Sequence, residues 1–580
     1  MDDFNSGTAM ECFKAMCLEL QTPLAYKMHC LLKNNDLEAV LKLRINPAKY
    51  GCAQTLLIDQ QLVSFFKKYE DLPFSDAKKR EKAAVNLFWE SERACFVSNH
   101  RLTPLLDDPY HYGERMQAFL QTWRKKIKRV LGRAPSWDLI DGKFGNGATF
   151  GNKGNLTSVA DKLTDYFTVT KIPRELVQDW DKSAWSRYAA CGMEPFAPDH
   201  ESHDPHHQIR DLVFVRGNRF TTVPKQWDKD RGICIEPSIN VFYQLGIGRW
   251  LAKCMKKSGL DKRTAQISHK NLACIASLTG ACATVDLSNA SDTVCEVLIR
   301  LLLPEDWWQL LTAVRATHTL IGERWVRLEK FSSMGNGYTF ELETLVFWTL
   351  GLTVAELEGV REDPFTPGLT VSAYGDDIIV PTSIAASVVS ALKFFGFQPN
   401  SAKTFLVGPF RESCGGDYYR GFDVRPFYLK ENLNENHRFI AAANGLRRTR
   451  LRGTAAGLEA SWLIRPWRLL KNALPTYIRK HCIGPVELGD IVLHDDHWEK
   501  QTTMRVRHSI RYLRVWRPVM NRGIPLVHFR PGVRYAAKLY GDTQVNELNT
   551  WDATKVASPF VPKINGTFVS GYKLGWVPYS

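Results

Sequence analysis

Residues 369–381 read LTVSAYGDDIIVP, and few folds accommodate them. Two short runs rich in Val, Ile, Thr and Tyr flank Gly375, Asp376 and Asp377. β-Branched and aromatic residues favour strands, and Gly with Asp favours a tight turn. The segment therefore predicts a hairpin whose tip carries adjacent carboxylates. Its neighbours supply the rest of a sheet. ATVDLS (283–288) predicts a short strand that reaches Asp286. Next, Thr293 and Glu296 stand at capping-box spacing before a helix with Val294, Val297, Leu298 and Leu301 on one face. A Gly-rich loop, SSMGNG (332–337), leads into an apolar helix from Tyr338 to about Leu350. Ile384, Val388, Leu392 and Phe395 mark a further helix with Gly396 as its C-terminal cap, and KTFLV (403–407) predicts the last strand. The order strand, helices, hairpin, helix, strand is that of a ferredoxin-like antiparallel sheet backed by helices, an α+β arrangement.

The remaining sequence sets the context. At 580 residues the chain has room for about four domain-sized units. Residues up to about 135 read mainly helical. Met116, Phe119, Leu120, Trp123, Ile127, Val130 and Leu131 recur at helical spacing, and Arg124, Lys125, Lys128 and Arg129 fill much of the other face. That face is read as solvated, with a basic wall toward nucleic acid as the functional alternative. The Gly- and Asn-rich stretch 141–155 fits neither common nucleotide-loop spacing and is read as an irregular loop. PDHESHDPHH (198–207) is read as a polar surface loop. His494, Asp495, Asp496 and His497 cannot converge on one ion from a regular element, because adjacent side chains point apart. From about 431 the chain reads helical and basic, with Arg447, Arg448, Arg450 and Arg452 close together. Trp462, Trp467, Trp498 and Trp516 are read as core residues, with base stacking as the alternative.

Lys plus Arg is 76 and Asp plus Glu is 61, an excess of +15 that suits a polyanionic partner. Thirteen scattered cysteines without a CxxC pair argue for reduced thiols in a cytoplasmic setting and against a cysteine-built zinc site. The N-terminus lacks a basic, then apolar, leader, and no window of about 18 apolar residues occurs, so neither a secretory signal nor a membrane span is expected.

In a ferredoxin-like sheet the first strand lies beside the central hairpin, which brings Asp286 to Asp376 and Asp377. Carboxylates that meet from separate strands suit nucleotidyl transfer, where two divalent ions activate a 3′-hydroxyl and stabilise the leaving pyrophosphate. Magnesium prefers such oxygen donors.

AYGDDIIV (373–380), TVDLSNASD (284–292) and SMGNGYTFELE (333–343) resemble the three palm motifs of RNA-dependent RNA polymerases. More narrowly they resemble the replicase β-subunits of the single-stranded RNA bacteriophages, the Qβ-like leviviruses. VPKQWDKDRGICIEPSINVFYQLGIG (223–248) is similar to that family's basic fingertip motif, and FRESCGGDYYRGFDVRPFYLK (410–430) to its post-palm motif. The resemblance implies a right-hand polymerase: fingers over 1–275, palm over 276–430, thumb and C-terminal region over 431–580. It implies an RNA-directed RNA polymerase that replicates a viral RNA genome from ribonucleoside triphosphates, in the cytoplasm of an infected bacterium. Asp286 and Asp376 would hold two Mg2+ ions with Asp377 in support, and Mn2+ would be a substitute. Lys225, Lys229 and Arg231 would hold the triphosphate, and Lys403 would protonate pyrophosphate. Gly335 and Gly337 would let backbone approach the template or nucleotide, with Ser333 and Asn336 in contact. Partners implied are template and product RNA, host elongation factors Tu and Ts, and a host ribosomal RNA-binding protein.

Two departures stand out. Five residues separate Asp286 from Asp292 where many relatives have four, and Glu343 stands where many polymerases place an Asn near the ribose. Asp292 is the expected reader of the 2′-hydroxyl. Two rival readings are a reverse transcriptase and a non-catalytic RNA-binding repressor. The first usually has a bulkier residue at the position of Gly375 and an RNase H region. The second is disfavoured because carboxylates in an RNA groove repel phosphate unless metal is present.

Overall fold

The computed structural model describes residues 7–69, 72–145, 147–152, 159–164, 167–183, 186, 212–522 and 567–579. The His-rich segment 198–207 lies outside them. Apolar periodicity makes the N-terminal part helical as expected. Thr8–Glu19, Pro23–Lys33, Ala53–Ser64, Ala77–Leu102 and Glu114–Leu131 are its main helices. The last buries Leu120, Trp123, Ile127 and Leu131 and leaves Arg124, Lys125, Lys128 and Arg129 exposed. Trp123 Nε1 donates to Thr349 Oγ1 at 2.8 Å, which ties this helix to the centre of the molecule.

The centre is the expected sheet. Cys282–Val285 pairs antiparallel with Asp377–Pro381, which pairs antiparallel with Ser372–Tyr374. The helices Lys262–Thr279 and Thr339–Leu357 pack with it, and Ala385–Phe394 packs on Thr339–Leu357. Thr339–Leu357 is buried along almost its whole length, as a helix in which apolar residues dominate is expected to be. The fourth strand is a correction. Residues 403–407 form no regular strand and meet Thr284 through one antiparallel bridge at Phe405. The chain turns at 400–404, with Lys403 N and Thr404 N both donating to the Asn400 carbonyl, so only Phe405 is left at strand register.

A second correction concerns Thr293. The helix begins at Glu296 with Cys295 as N-cap and no side-chain cap bond. The Thr293 hydroxyl donates instead to the carbonyls of Asn289 and Ala290, closing a short 3-10 turn at Ala290–Asp292.

A four-stranded sheet holds the Asn218–Pro224 and Asp230–Ile235 hairpin, with His318–Ile321 and Arg324–Arg327 beyond it. Helix Ser238–Lys257 follows that hairpin. Buried residues between 9 and 72 share a core with residues between 405 and 493, so the first helices pack on the later part of the chain. The C-terminal part is only partly helical. After Asn436–Ala455 and Ile464–Ala473 the strands Met504–Arg507, Ile510–Arg522 and Thr567–Pro578 form an antiparallel sheet. The alternation in MRVRHSIRYLRV carries that signal. Trp462 is buried, and Trp467, Trp498 and Trp516 pack against the same core, in line with the core reading. His494, Asp495 and Asp496 point to different partners: the Gly489 carbonyl, Lys471 and Arg447.

Candidate active site

The hairpin at the centre closes through a two-residue turn, since Tyr374 pairs with Asp377. Gly375 has φ +60 and Asp376 has none of the positive φ values, the pattern of a type II′ turn with glycine at its first central position. Space also requires glycine there. A Cβ on Gly375 would lie 2.7 Å from the Phe340 ring and 3.1 Å from Glu343 Oε1. Thr344 Oγ1 accepts from Gly375 N at 2.9 Å, which fixes the turn to the Thr339–Leu357 helix.

Val285 pairs with Ile378, so Asp286 follows its strand at the level of Asp377, beside the turn. Asp286 leaves the strand because its surroundings are polar: Asn400 Nδ2 donates to Oδ2 at 2.9 Å, and Lys403 Nζ lies 3.4 Å from Oδ1. Lys403 also lies 3.3 Å from Glu412 Oε1. Arg425 Nη1 pairs with Asp417 at 2.8 Å behind it. Asp286, Asp376, Asp377 and Lys403 are therefore brought together.

The electrostatics are those of crowded carboxylates. Burial first, then Asp376 and Asp286, push Asp377 up to about 6. Burial pushes Asp286 up, with Lys403 opposing and Asp376 adding to the rise. Glu412 is raised to about 7 by burial and Asp417. Glu343, beneath the turn, is pushed well above the carboxylate range by burial and by Asp376 and Asp292, and its Oε2 has no hydrogen-bond partner among the described residues. Burial alone would lower Lys403, but Glu412, Asp286 and Asp377 outweigh it and hold the amine protonated. A divalent cation would relieve this mutual repulsion, and the donor set is all oxygen, which fits magnesium. Among the described residues no three His, Cys, Asp or Glu groups already form a cage. Magnesium is usually held by one or two carboxylates, with substrate phosphates completing its shell.

The basic hairpin stands opposite. Lys225 and Lys229 border its turn, Gln226 N donates to the Lys229 carbonyl at 3.0 Å, and Arg231 pairs with Val223. Burial, then Arg231, Lys229 and Lys403, push Lys225 down to about 8, while Asp376 draws it up. The hairpin cations thus lie within electrostatic reach of the acidic tip. Sequence reasoning missed Lys67 and Lys68, which join them from the N-terminal part. Lys68 is pushed down to about 8 by burial, Arg425, Lys430, Lys67 and Lys403. No motif marks these two lysines. Asn400 and Glu412 were also missed, though both stand within nine residues of Lys403.

The loop 332–337 is built into the protein. A Cβ at Gly335, φ +116, would lie 2.1 Å from the Cys234 carbonyl, and one at Gly337 would lie 2.7 Å from Leu245 N. The close approaches these glycines permit in the structure are to the basic hairpin and its helix. Ser333 is buried, and Asn336 Oδ1 accepts from Tyr338 N at 3.0 Å, a local turn bond just before the helix that follows. Asp292 lies 2.8 Å from Lys330 Nζ and, like Asp376, within electrostatic reach of Glu343.

Residues 54–548 match the family described as RNA replicase, beta-chain. The chain is 35% identical over 340 residues to the RNA-directed RNA polymerase beta chain of Enterobacteria phage fr, covering 58% of this chain and 57% of that one. It is 33% identical over 419 residues to the RNA-directed RNA polymerase subunit beta of Escherichia virus Qbeta, covering 72% of this chain and 65% of that one. These alignments span less than two thirds of either relative. A crystal structure of the RNA-dependent RNA polymerase of a human picobirnavirus is similar at a TM-score of 0.31 and 12% identity, over 71% of this chain and 94% of that chain, and adds nothing to the assignment. With the match extending over most of its length, the chain belongs to the RNA replicase beta-chain family.

Proposed function

We propose that the chain is an RNA-directed RNA polymerase that replicates a viral RNA genome by nucleotidyl transfer, acting in the cytoplasm of an infected bacterium. The observation that carries this is the acidic tip at Asp376 and Asp377 beside Asp286, faced by the Lys225, Lys229 and Arg231 hairpin. No helix among the described residues is long and apolar enough to cross a membrane. Residues 1–275 serve as fingers, 276–430 as palm, and 431–580 as thumb and C-terminal region.

Asp286 and Asp376, supported by Asp377, would hold two Mg2+ ions, with Mn2+ as a substitute; bound there, the metal would supply activation of the attacking 3′-hydroxyl and stabilisation of the leaving pyrophosphate. Lys225, Lys229 and Arg231 bind the triphosphate, because fixed cations offset charge that develops during transfer. A phosphate beside Lys225 restores the protonation that burial weakens. Asn400 and Lys403 orient Asp286 from either side. Lys403, held protonated beside Asp286 and Glu412, delivers a proton to pyrophosphate. Asp292 accepts the ribose 2′-hydroxyl. Ser333 and Asn336 position the nucleotide from the loop before the long helix. Host elongation factors Tu and Ts and a ribosomal RNA-binding protein complete the enzyme, as the resemblance implies.

The test is incorporation by the purified chain on template RNA with Mg2+, with and without bacterial lysate proteins, supplying ribonucleotides and deoxynucleotides separately. Template-dependent RNA product supports the proposal. Preference for deoxynucleotides favours reverse transcription, and RNA binding without incorporation in either condition favours a repressor.

A further inference from the structure

The helix Ala77–Leu102 lies outside all the motifs, yet several of its side chains end on the buried side of Asp292. Lys330 is fully buried there. Its Nζ is 2.8 Å from Asp292 Oδ1, 3.4 Å from Glu92 Oε1 and 4.3 Å from the centre of the Phe88 ring. Cys95 Sγ donates to the Asp292 carbonyl at 3.4 Å. Asn99 Nδ2 donates to the Glu329 carbonyl at 2.8 Å, and Asn99 Oδ1 accepts from Val297 N at 2.9 Å. The helix therefore stitches the Asp292 turn to the strand-like segment that carries Lys330. It reaches the basic hairpin as well: Arg80 Nε lies 3.0 Å from Asp230 Oδ1, and Phe88 packs on Phe220 with ring centres 5.1 Å apart.

A buried ammonium is tolerated only with partners, and removing one partner leaves an uncompensated charge. Burial alone would lower Lys330, but Asp292, Cys234 and Glu92 together keep it protonated. Lys330 engages one oxygen of Asp292. No donor among the described residues reaches Oδ2, and the side chain keeps 24% of its surface open. That oxygen is available to a hydroxyl.

We propose that Lys330 and Glu92 are positioning residues for sugar selection: they fix Asp292 with one carboxylate oxygen engaged and present the other to the ribose 2′-hydroxyl. This rests on the reading of the chain as a polymerase. Discrimination between ribo- and deoxyribonucleotides is then set partly from a helix that carries none of the polymerase motifs.

The test uses the full chain with lysate proteins and measures kcat/KM for matched ribo- and deoxyribonucleotides in single-nucleotide extension. Lys330→Met should lower the ribo-to-deoxy ratio about tenfold, with the loss falling on the ribonucleotide. Glu92→Gln, which lets Lys330 move fully onto Asp292, should lower it about threefold. Asp292→Asn with Lys330→Met should lower it no further than Asp292→Asn alone, because the two residues act as one unit. Equal losses with both sugars, leaving the ratio unchanged, overturn the proposal. If Lys330→Met does not fold, Glu92→Gln decides by the same criterion. A wild-type chain that incorporates neither sugar refutes the polymerase reading instead.

Discussion

Gly375→Ala tests how tightly the acidic tip is held. The new Cβ meets two costs. A left-handed φ of +60 costs an L-residue about 1–2 kcal/mol. The methyl would also lie 2.7 Å from the Phe340 ring and 3.1 Å from Glu343 Oε1, and such overpacking costs about 1–3 kcal/mol. The sum is about 2–5 kcal/mol, too much for the turn to absorb in place, so Asp376 moves with it. A displacement near 1 Å at reacting groups costs roughly a hundredfold in rate. Gly359→Ala is the control. Its φ is +69, but nothing lies within 4 Å of its Cβ position, so only the conformational cost applies. Single-nucleotide extension on a pre-bound template, with thermal unfolding of both variants, separates the effects. Gly375→Ala should lose about two orders of magnitude in extension rate while binding template normally. Gly359→Ala should extend normally. A Gly375→Ala chain that extends at the wild-type rate would refute the claim that this turn positions the reacting groups.

Lys225→Ala and Arg231→Ala should raise the nucleotide KM by about tenfold and leave template affinity nearly unchanged, as measured by extension kinetics and filter binding. Collapse of template affinity with an unchanged KM would place these residues in an RNA groove. Trp123→Phe removes the donor to the buried Thr349 hydroxyl and should cost about 1–3 kcal/mol, read as a lower unfolding midpoint with unchanged nucleotide KM. His269 is buried between the Ser413 and Ser372 hydroxyls, and burial pushes it down to about 4. Its folded value lies below the unfolded one, so its contribution is complete above about pH 6.5 and is lost as pH falls toward about 4, by up to about 3 kcal/mol. His269→Gln should flatten that acid limb in unfolding midpoints taken from pH 7 to 5, and an unchanged limb would assign the acid sensitivity elsewhere.

Legibility in the sequence followed how local each determinant was. The hairpin at 372–381 was readable because apolar strands, a glycine and the turn length are all local. Helix 339–357 was readable as far as about Leu350 because apolar residues dominate that stretch. The 403–407 segment was misread because strand propensity lost to the turn at Asn400, which serves Asp286. Thr293 was misread as a cap because 294–297 is held by residues at 99, 329 and 331, none of them near in sequence. Asp286 and Asp376 were legible as a pair through sheet order. The contributions of Lys67, Lys68, Glu92 and Lys330 were not, since each depends on tertiary placement of a segment without a motif. The C-terminal strands carried a period-2 signal that the abundance of arginine obscured.

The most direct measurement is single-nucleotide extension by folded Asp376→Asn protein on a bound template. The swap keeps shape and removes one negative charge from the acidic tip. Loss of one such electrostatic contribution costs on the order of 3 kcal/mol, a factor of at least about a hundred in rate. RNA binding should persist, because it rests on many Lys and Arg contacts spread over a large surface. The account predicts a rate reduced by at least about two orders of magnitude with template affinity intact. Near-normal extension would mean that Asp376 is a turn residue only and that the active site lies elsewhere.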